Sequence, residues 1–156
     1  MPPGSEGGPV EVMCRILPHG EGLPLPEYAT VMSVGMDLPA AVMRETVIDV
    51  GQRIPVPTGL AVAVPMGYEI QIRPRSGLAR DHGIMIANTP GTVDPDYRGE
   101  VMVLVINLGE RAFTVKRGMR IAQMVVVPTV RADLKVVEDL PGTERGEGGF
   151  GHTGVE

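Results

Sequence analysis

The chain has 156 residues, 43% of them hydrophobic and 21% charged, with a formal net charge of −5. That length favours one domain with a full core, and the acidic balance argues against a nucleic-acid partner, which needs a basic face. No apolar run approaches the roughly 20 residues of a membrane helix, and residues 1–9 lack the basic and apolar regions of a signal peptide, so a cytoplasmic protein with no membrane partner is expected.

Residues 1–9 are rich in Pro and Gly and are expected to be disordered. A first strand is predicted over 10–17, holding Cys14, the only cysteine. With no partner thiol it reads as a buried apolar filler. Residues 20–27 are a turn segment broken by Gly22, Pro24 and Pro26. Gly35 and Asp37 stand where the next strand begins, and 46–50 and 53–56 read as short strands around Gly51. An apolar run over 60–64 turns at Pro65-Met-Gly67 into a strand over 68–73. There Tyr68, Ile70 and Ile72 face one way and Glu69, Gln71 and Arg73 the other. Residues 76–81 form the one plausible helical turn, with Ser76 a candidate cap. Strands follow over 84–87, 101–106, 112–115 and 121–127. The run 101–106 is apolar at every position and so predicted buried on both faces. Strands recurring every 8 to 12 residues or so between Gly and Pro turns indicate an all-β sandwich, jelly roll or barrel over 10–132. Only 3% of residues are aromatic, so the core must be Val, Ile, Leu and Met. After Val130 the composition changes, and 133–156 reads as a tail that orders when it binds something.

Chemistry concentrates in the loop 88–100. Turn formation accounts for Pro90, Gly91, Pro95 and Gly99, but not for Asn88, Asp94, Tyr97 and Arg98 together. Residues 73–79 set Arg73, Arg75 and Ser76 at a helix start, an arrangement that suits phosphate oxygens, though alone it better describes an ordinary strand-to-helix junction with a capping serine. Gln123 interrupts an apolar strand. His82 reads as structural. Gly146, Gly148 and Gly151 match G-x-G-x-x-G literally, without the strand and helix that give that motif meaning. Three scattered histidines leave only a hard, oxygen-held metal as a candidate.

Taken together, five segments resemble the motifs of the homotrimeric dUTPase family: Val34-Gly-Met-Asp-Leu-Pro-Ala40, Pro74-Arg-Ser-Gly-Leu-Ala79, the loop Asn88 to Glu100, Arg117-Gly-Met-Arg-Ile-Ala-Gln-Met124, and Arg145-Gly-Glu-Gly-Gly-Phe-Gly-His-Thr-Gly154. The resemblance implies a jelly-roll-like or distorted-barrel β subunit with a flexible C-terminal arm. It also implies a homotrimer with shared sites and Mg2+-dependent hydrolysis of dUTP to dUMP and pyrophosphate, which keeps uracil out of DNA and supplies dUMP for thymidylate synthesis. By the same resemblance Asp94 is the water-activating base. Asn88, Gly91, Thr92, Val93 and Met102 surround the uracil in a hairpin too tight for thymine's methyl, and Tyr97 lies under the deoxyribose. Arg75, Ser76, Gly77 and Gln123 are phosphate-side contacts, while Asp37 binds waters on the metal. Arg145, Phe150 and Gly151 belong to the arm, with Arg145 meeting the γ-phosphate and Phe150 stacking on uracil. Two residues depart from the pattern. Val34 replaces a usual alanine, and His152 replaces a usual Ser or Thr, which suggests a γ-phosphate contact that tightens below about pH 6.5 as the imidazole gains its proton. Two alternatives stand beside this reading: a dCTP deaminase of the same fold, and a nucleotide-binding regulator without turnover.

Overall fold

The structure, a computed structural model, describes residues 8–149. Its strands are β1 (Met13–Ile16), β2 (Met36–Pro39), β3 (Thr46–Ile48), β4 (Arg53–Ala63), β5 (Tyr68–Pro74), β6 (Ile84–Ile86), β7 (Gly91–Val93), β8 (Glu100–Asn107), β9 (Phe113–Val115) and β10 (Arg120–Pro128). One seven-residue helix, α1 (Ser76–His82), and a 3-10 turn at Pro18–Gly20 complete the described elements. The strands form two four-stranded sheets, ordered β1-β4-β8-β6 and β2-β10-β5-β7, and a two-stranded ribbon β3-β9. Every pairing is antiparallel. This is the expected all-β, jelly-roll-like fold.

The apolar side chains alternate into the space between the sheets. Leu38, Ile48, Val56, Ile70, Val103, Val105, Val115 and Ile121 are fully buried there. β-branched residues dominate because they suit a pleated, packed surface. The predicted split of Tyr68, Ile70 and Ile72 from Glu69, Gln71 and Arg73 holds: Ile70 and Ile72 are in the core, while Arg73 and Gln71 bond each other at 2.6 Å on the outer face. His82 rests on Phe113, with ring centroids 5.2 Å apart, in keeping with a structural role.

Several local expectations are corrected. The segments 53–56 and 60–64 are one eleven-residue strand, because a bulge carries the pairing with β8 past Thr58–Leu60 instead of ending it. Strand β3 pairs with β9, not with β4 across Gly51. Strand β8 is not buried on both faces: Val101, Val103 and Val105 are in the core, whereas Met102 is 42% exposed and Leu104 and Ile106 are half-buried. The described residues cover its second apolar face only in part. Cys14 is exposed, since β1 is an edge strand. Ser76 does not cap α1. Arg75 holds the cap position in extended conformation with no side-chain cap bond, and Ser76 is already helical.

Two contacts tie the bulge of β4 to its surroundings. Thr58 Oγ1 donates to the Val101 carbonyl at 2.6 Å, and the Gly59 carbonyl accepts from Leu17 N–H at 2.8 Å. Gly59 sits at φ +68, with its Cα against Gly20, so a β-carbon on either would run into the other's backbone. Gly59→Ala is therefore expected to lower stability by about 2 kcal/mol, from left-handed strain and overlap together. An unchanged urea midpoint would contradict the close approach.

Candidate active site

The loop 88–99 spans the gap between β6 and β8, which pair with each other. Within it β7 peels away to join β5 in the opposite sheet. The expected tight hairpin is thus an open one: β7 and β8 lie in different sheets, and the space between them is a cavity of about 130 Å³. Asn88, Gly91, Thr92, Val93, Tyr97 and Met102 all line it, with Ile72, Ile86, Glu100, Val101 and Leu104. Loop chemistry explains the geometry. The Thr89–Pro90 bond is cis. Gly91 packs flat on Ile72 and beside the Asn88 amide, where a β-carbon would sit at 3.4 Å from each. Tyr97 N–H donates to the Asp94 carbonyl at 3.1 Å, closing a turn. The Arg98 guanidinium folds back on the Pro95 and Tyr97 carbonyls at 2.6 and 2.7 Å, which makes it a brace of the turn.

Asp94 is exposed and lies on an adjoining groove of about 460 Å³, shared with Glu69, Thr129 and Arg131 among others. A carboxylate there, open to solvent and one residue from the cavity wall at Val93, is free to hold a water.

A second polar centre is built on β2, β10 and the start of α1. Gln123 of β10 lies opposite Asp37 of β2 and opposite Arg73 of β5. Asp37 Oδ1 accepts from Arg75 Nε at 3.0 Å and Gln123 Nε2 at 3.2 Å. Its Oδ2 accepts from Arg120 Nη1 at 2.9 Å and Arg75 Nη2 at 3.3 Å. Two guanidiniums on one carboxylate leave net positive charge at the mouth of this site, and charge-assisted forks of this kind fit phosphate. Ser76 and Gly77 are exposed beside it on the first turn of α1.

The structure therefore joins Asp37, Arg75 and Gln123, and separately joins the six cavity residues. It does not bring the two groups together within one chain. In the sheet β2-β10-β5-β7 the strand of Asp37 and the strand of Thr92 are at opposite edges, three strand spacings or about 14 Å apart. Arg145 is exposed in the tail, donating to the Gly148 carbonyl at 2.7 Å. Phe150, Gly151 and His152 lie outside the described residues. Two residues without an assigned role on sequence grounds enter the sites: Arg120, a direct partner of Asp37, and Glu100, on the cavity wall. Nothing in their spacing singled them out, although both stand inside quoted motifs.

A model of the dUTPase family matches residues 21–154. The chain belongs to the dUTPase family. It is accordingly a dUTP diphosphatase, an enzyme that hydrolyses dUTP. The dUTPase of Staphylococcus bacteriophage 80alpha, solved with dUpNHpp, is 26% identical with a TM-score of 0.83, covering 93% of this chain and 99% of that one. A glycine-to-serine variant of it with the same ligand is 25% identical, also at 0.83, with the same coverage. A variant dUTPase from phage phi11 of S. aureus, described with a structural Mg(II) ion, is 22% identical with a TM-score of 0.73, covering 83% of this chain and 97% of that one. No helix among the described residues is long and apolar enough to cross a membrane.

Proposed function

We propose that the cavity between β7 and β8 takes the deoxyuridine, that the Asp37–Arg75–Gln123 centre of another subunit takes the phosphates, and that Asp94 activates the water between them. One observation carries this reading: the six residues matched to the family's nucleoside site all line one cavity. Asn88 reads the uracil edge with the Gly91–Val93 backbone and Met102. The Tyr97 ring faces the deoxyribose, where it excludes a 2′-hydroxyl. Asp94 accepts a proton from water, and the resulting hydroxide attacks the α-phosphorus. The bond from that phosphorus to the α,β-bridging oxygen breaks, and pyrophosphate leaves with the electron pair. Arg75, Ser76, Gly77 and Gln123 hold the departing charge.

The donor set fits Mg2+ in one mode only. Asp37 offers a hard carboxylate, but no cluster of three potential ligand side chains exists among the described residues. Asp37 would hold the ion through water, with substrate phosphates as its direct ligands. When bound, the ion neutralises phosphate charge.

A homotrimer is supported by two features. The base follows β7 and the phosphate centre includes β2, the two opposite edges of one sheet, and β8 carries an apolar face that the described residues cover only in part. Residues 133–156 act as the arm. Val136 and Leu134 in it are 102% and 91% exposed in a single chain, as expected of a segment that seats on a neighbour, and Arg145 and Phe150 close over the nucleotide. A nucleotide substrate also suits a cytoplasmic enzyme. Sedimentation should give three-chain mass, and a one-chain species with full activity would overturn the shared site.

The direct test is pyrophosphate release with Mg2+ from dUTP against dTTP, dCTP and UTP. Selective release from dUTP is expected, whereas ammonia from dCTP would move the chain to the deaminases. Asn88→Ala should lower kcat/KM for dUTP by about 10- to 100-fold, since uracil's polar edge loses a hydrogen-bond partner. A loss below twofold would remove Asn88 from base reading.

A further inference from the structure

Glu100 is where the substrate loop becomes strand β8, and its side chain is not spent on solvent. Its Oε1 accepts the Gly59 N–H at 2.7 Å and the His19 Nε2–H at 2.7 Å. Both donors belong to segments distant in sequence: the bulge of β4 and the 3-10 turn. That turn is itself fixed, because Arg117 donates to the His19 and Glu21 carbonyls at 2.7 and 2.8 Å. The carboxylate side chain is only 20% exposed. The backbone carbonyl of the same residue accepts the Tyr97 hydroxyl at 2.8 Å. Gly99 makes this possible, since a β-carbon there would run into the phenol.

We infer that Glu100 is a specificity-determining positioning residue, whose carboxylate anchors the backbone carbonyl that holds the Tyr97 ring against the sugar. The inference rests on the proposed placement of Tyr97 under the deoxyribose. Tyr97 is 44% exposed, so packing alone leaves it free to tilt. An added hydroxyl is poorly rejected by an apolar surface unless that surface cannot yield. A ring must be held within about 0.5 Å by supporting bonds to discriminate in this way. The hydroxyl-to-carbonyl bond is that support, and Oε1 fixes the carbonyl by bonding two other parts of the fold.

The readout is the ratio of kcat/KM for dUTP to that for UTP, measured on the full chain. Glu100→Ala and Tyr97→Phe should each lower the ratio by about tenfold, and the double variant should lower it no further, because both break one brace. Glu100→Gln keeps an acceptor oxygen for Gly59 and should stay within about twofold of the original ratio. A purely structural role for Glu100 would lower the melting temperature and both kcat/KM values in proportion, leaving the ratio unmoved, and that result overturns the inference. Should Glu100→Ala not fold, Tyr97→Phe decides: the ring stays, only the hydroxyl goes, and an unchanged ratio rejects the brace. Tyr97→Ala separates the two levels. If it relaxes the ratio while Tyr97→Phe does not, the brace fails and the sugar contact stands. If Tyr97→Ala also changes nothing, the placement of Tyr97 itself is wrong.

Discussion

Asp94→Asn is expected to lower kcat for dUTP by about 10²–10⁴-fold, the range that a positioned general base contributes. The amide keeps the shape of the carboxylate and can still touch water, but it does not accept the proton. Binding should survive, because Asp94 lies on the adjoining groove and is not part of the cavity wall. The measurement is single-turnover pyrophosphate release beside equilibrium binding of a non-hydrolysable dUTP analogue. Full activity in the variant would reject Asp94 as the base. Loss of binding in step with loss of turnover would instead make it a binding residue. An exposed carboxylate also makes a folding artefact a poor explanation of a lost rate, since its removal leaves no buried donor unpaired.

Asn107→Ala is expected to lower the stability of the scaffold by about 3 kcal/mol. Asn107 is fully buried at the end of β8. Its Nδ2 donates to the Ile48 and Arg111 carbonyls at 2.9 and 2.8 Å, and its Oδ1 accepts the Gly109 N–H at 2.9 Å. One amide thereby ties β8 to β3 and to the turn leading to β9. Truncation leaves three backbone groups short of a partner, the Ile48 carbonyl in a buried setting and the Arg111 carbonyl and Gly109 N–H in part-buried ones. The melting temperature should fall by roughly 6–12 °C at fixed protein concentration. A fall of under 2 °C would mean that water replaces the side chain. Activity at low temperature should persist, since the residue is remote from both polar centres.

The period-2 patterning of β5 and the punctuation by Gly and Pro were enough to read an all-β domain, because burial on one face of a strand writes itself directly into alternation. The site loop was legible for a different reason. Asn88, Asp94 and Tyr97 exceed what a turn requires, and the quoted motifs matched a family whose model covers residues 21–154. Patterning was less informative where contacts are long-range. The uniform apolarity of β8 reads as burial on both faces, yet Met102 and Ile106 face outward in a single chain. Residue type reports that a side chain avoids water, not which surface covers it. Cys14 was misplaced on the same ground, since edge or centre is a property of strand order.

The amino-acid sequence by itself thus determined the fold class and the family and singled out the candidate residues for the reaction, because each is a matter of residue type at short spacing. Only the tertiary structure decided that β7 and β8 part into different sheets to open a cavity. It alone placed Asp37 and Thr92 at opposite sheet edges, and put Glu100 in reach of Gly59 and His19, 41 and 81 residues away along the chain. Those are facts of register and crossover, and spacing along a chain does not encode which strands become neighbours.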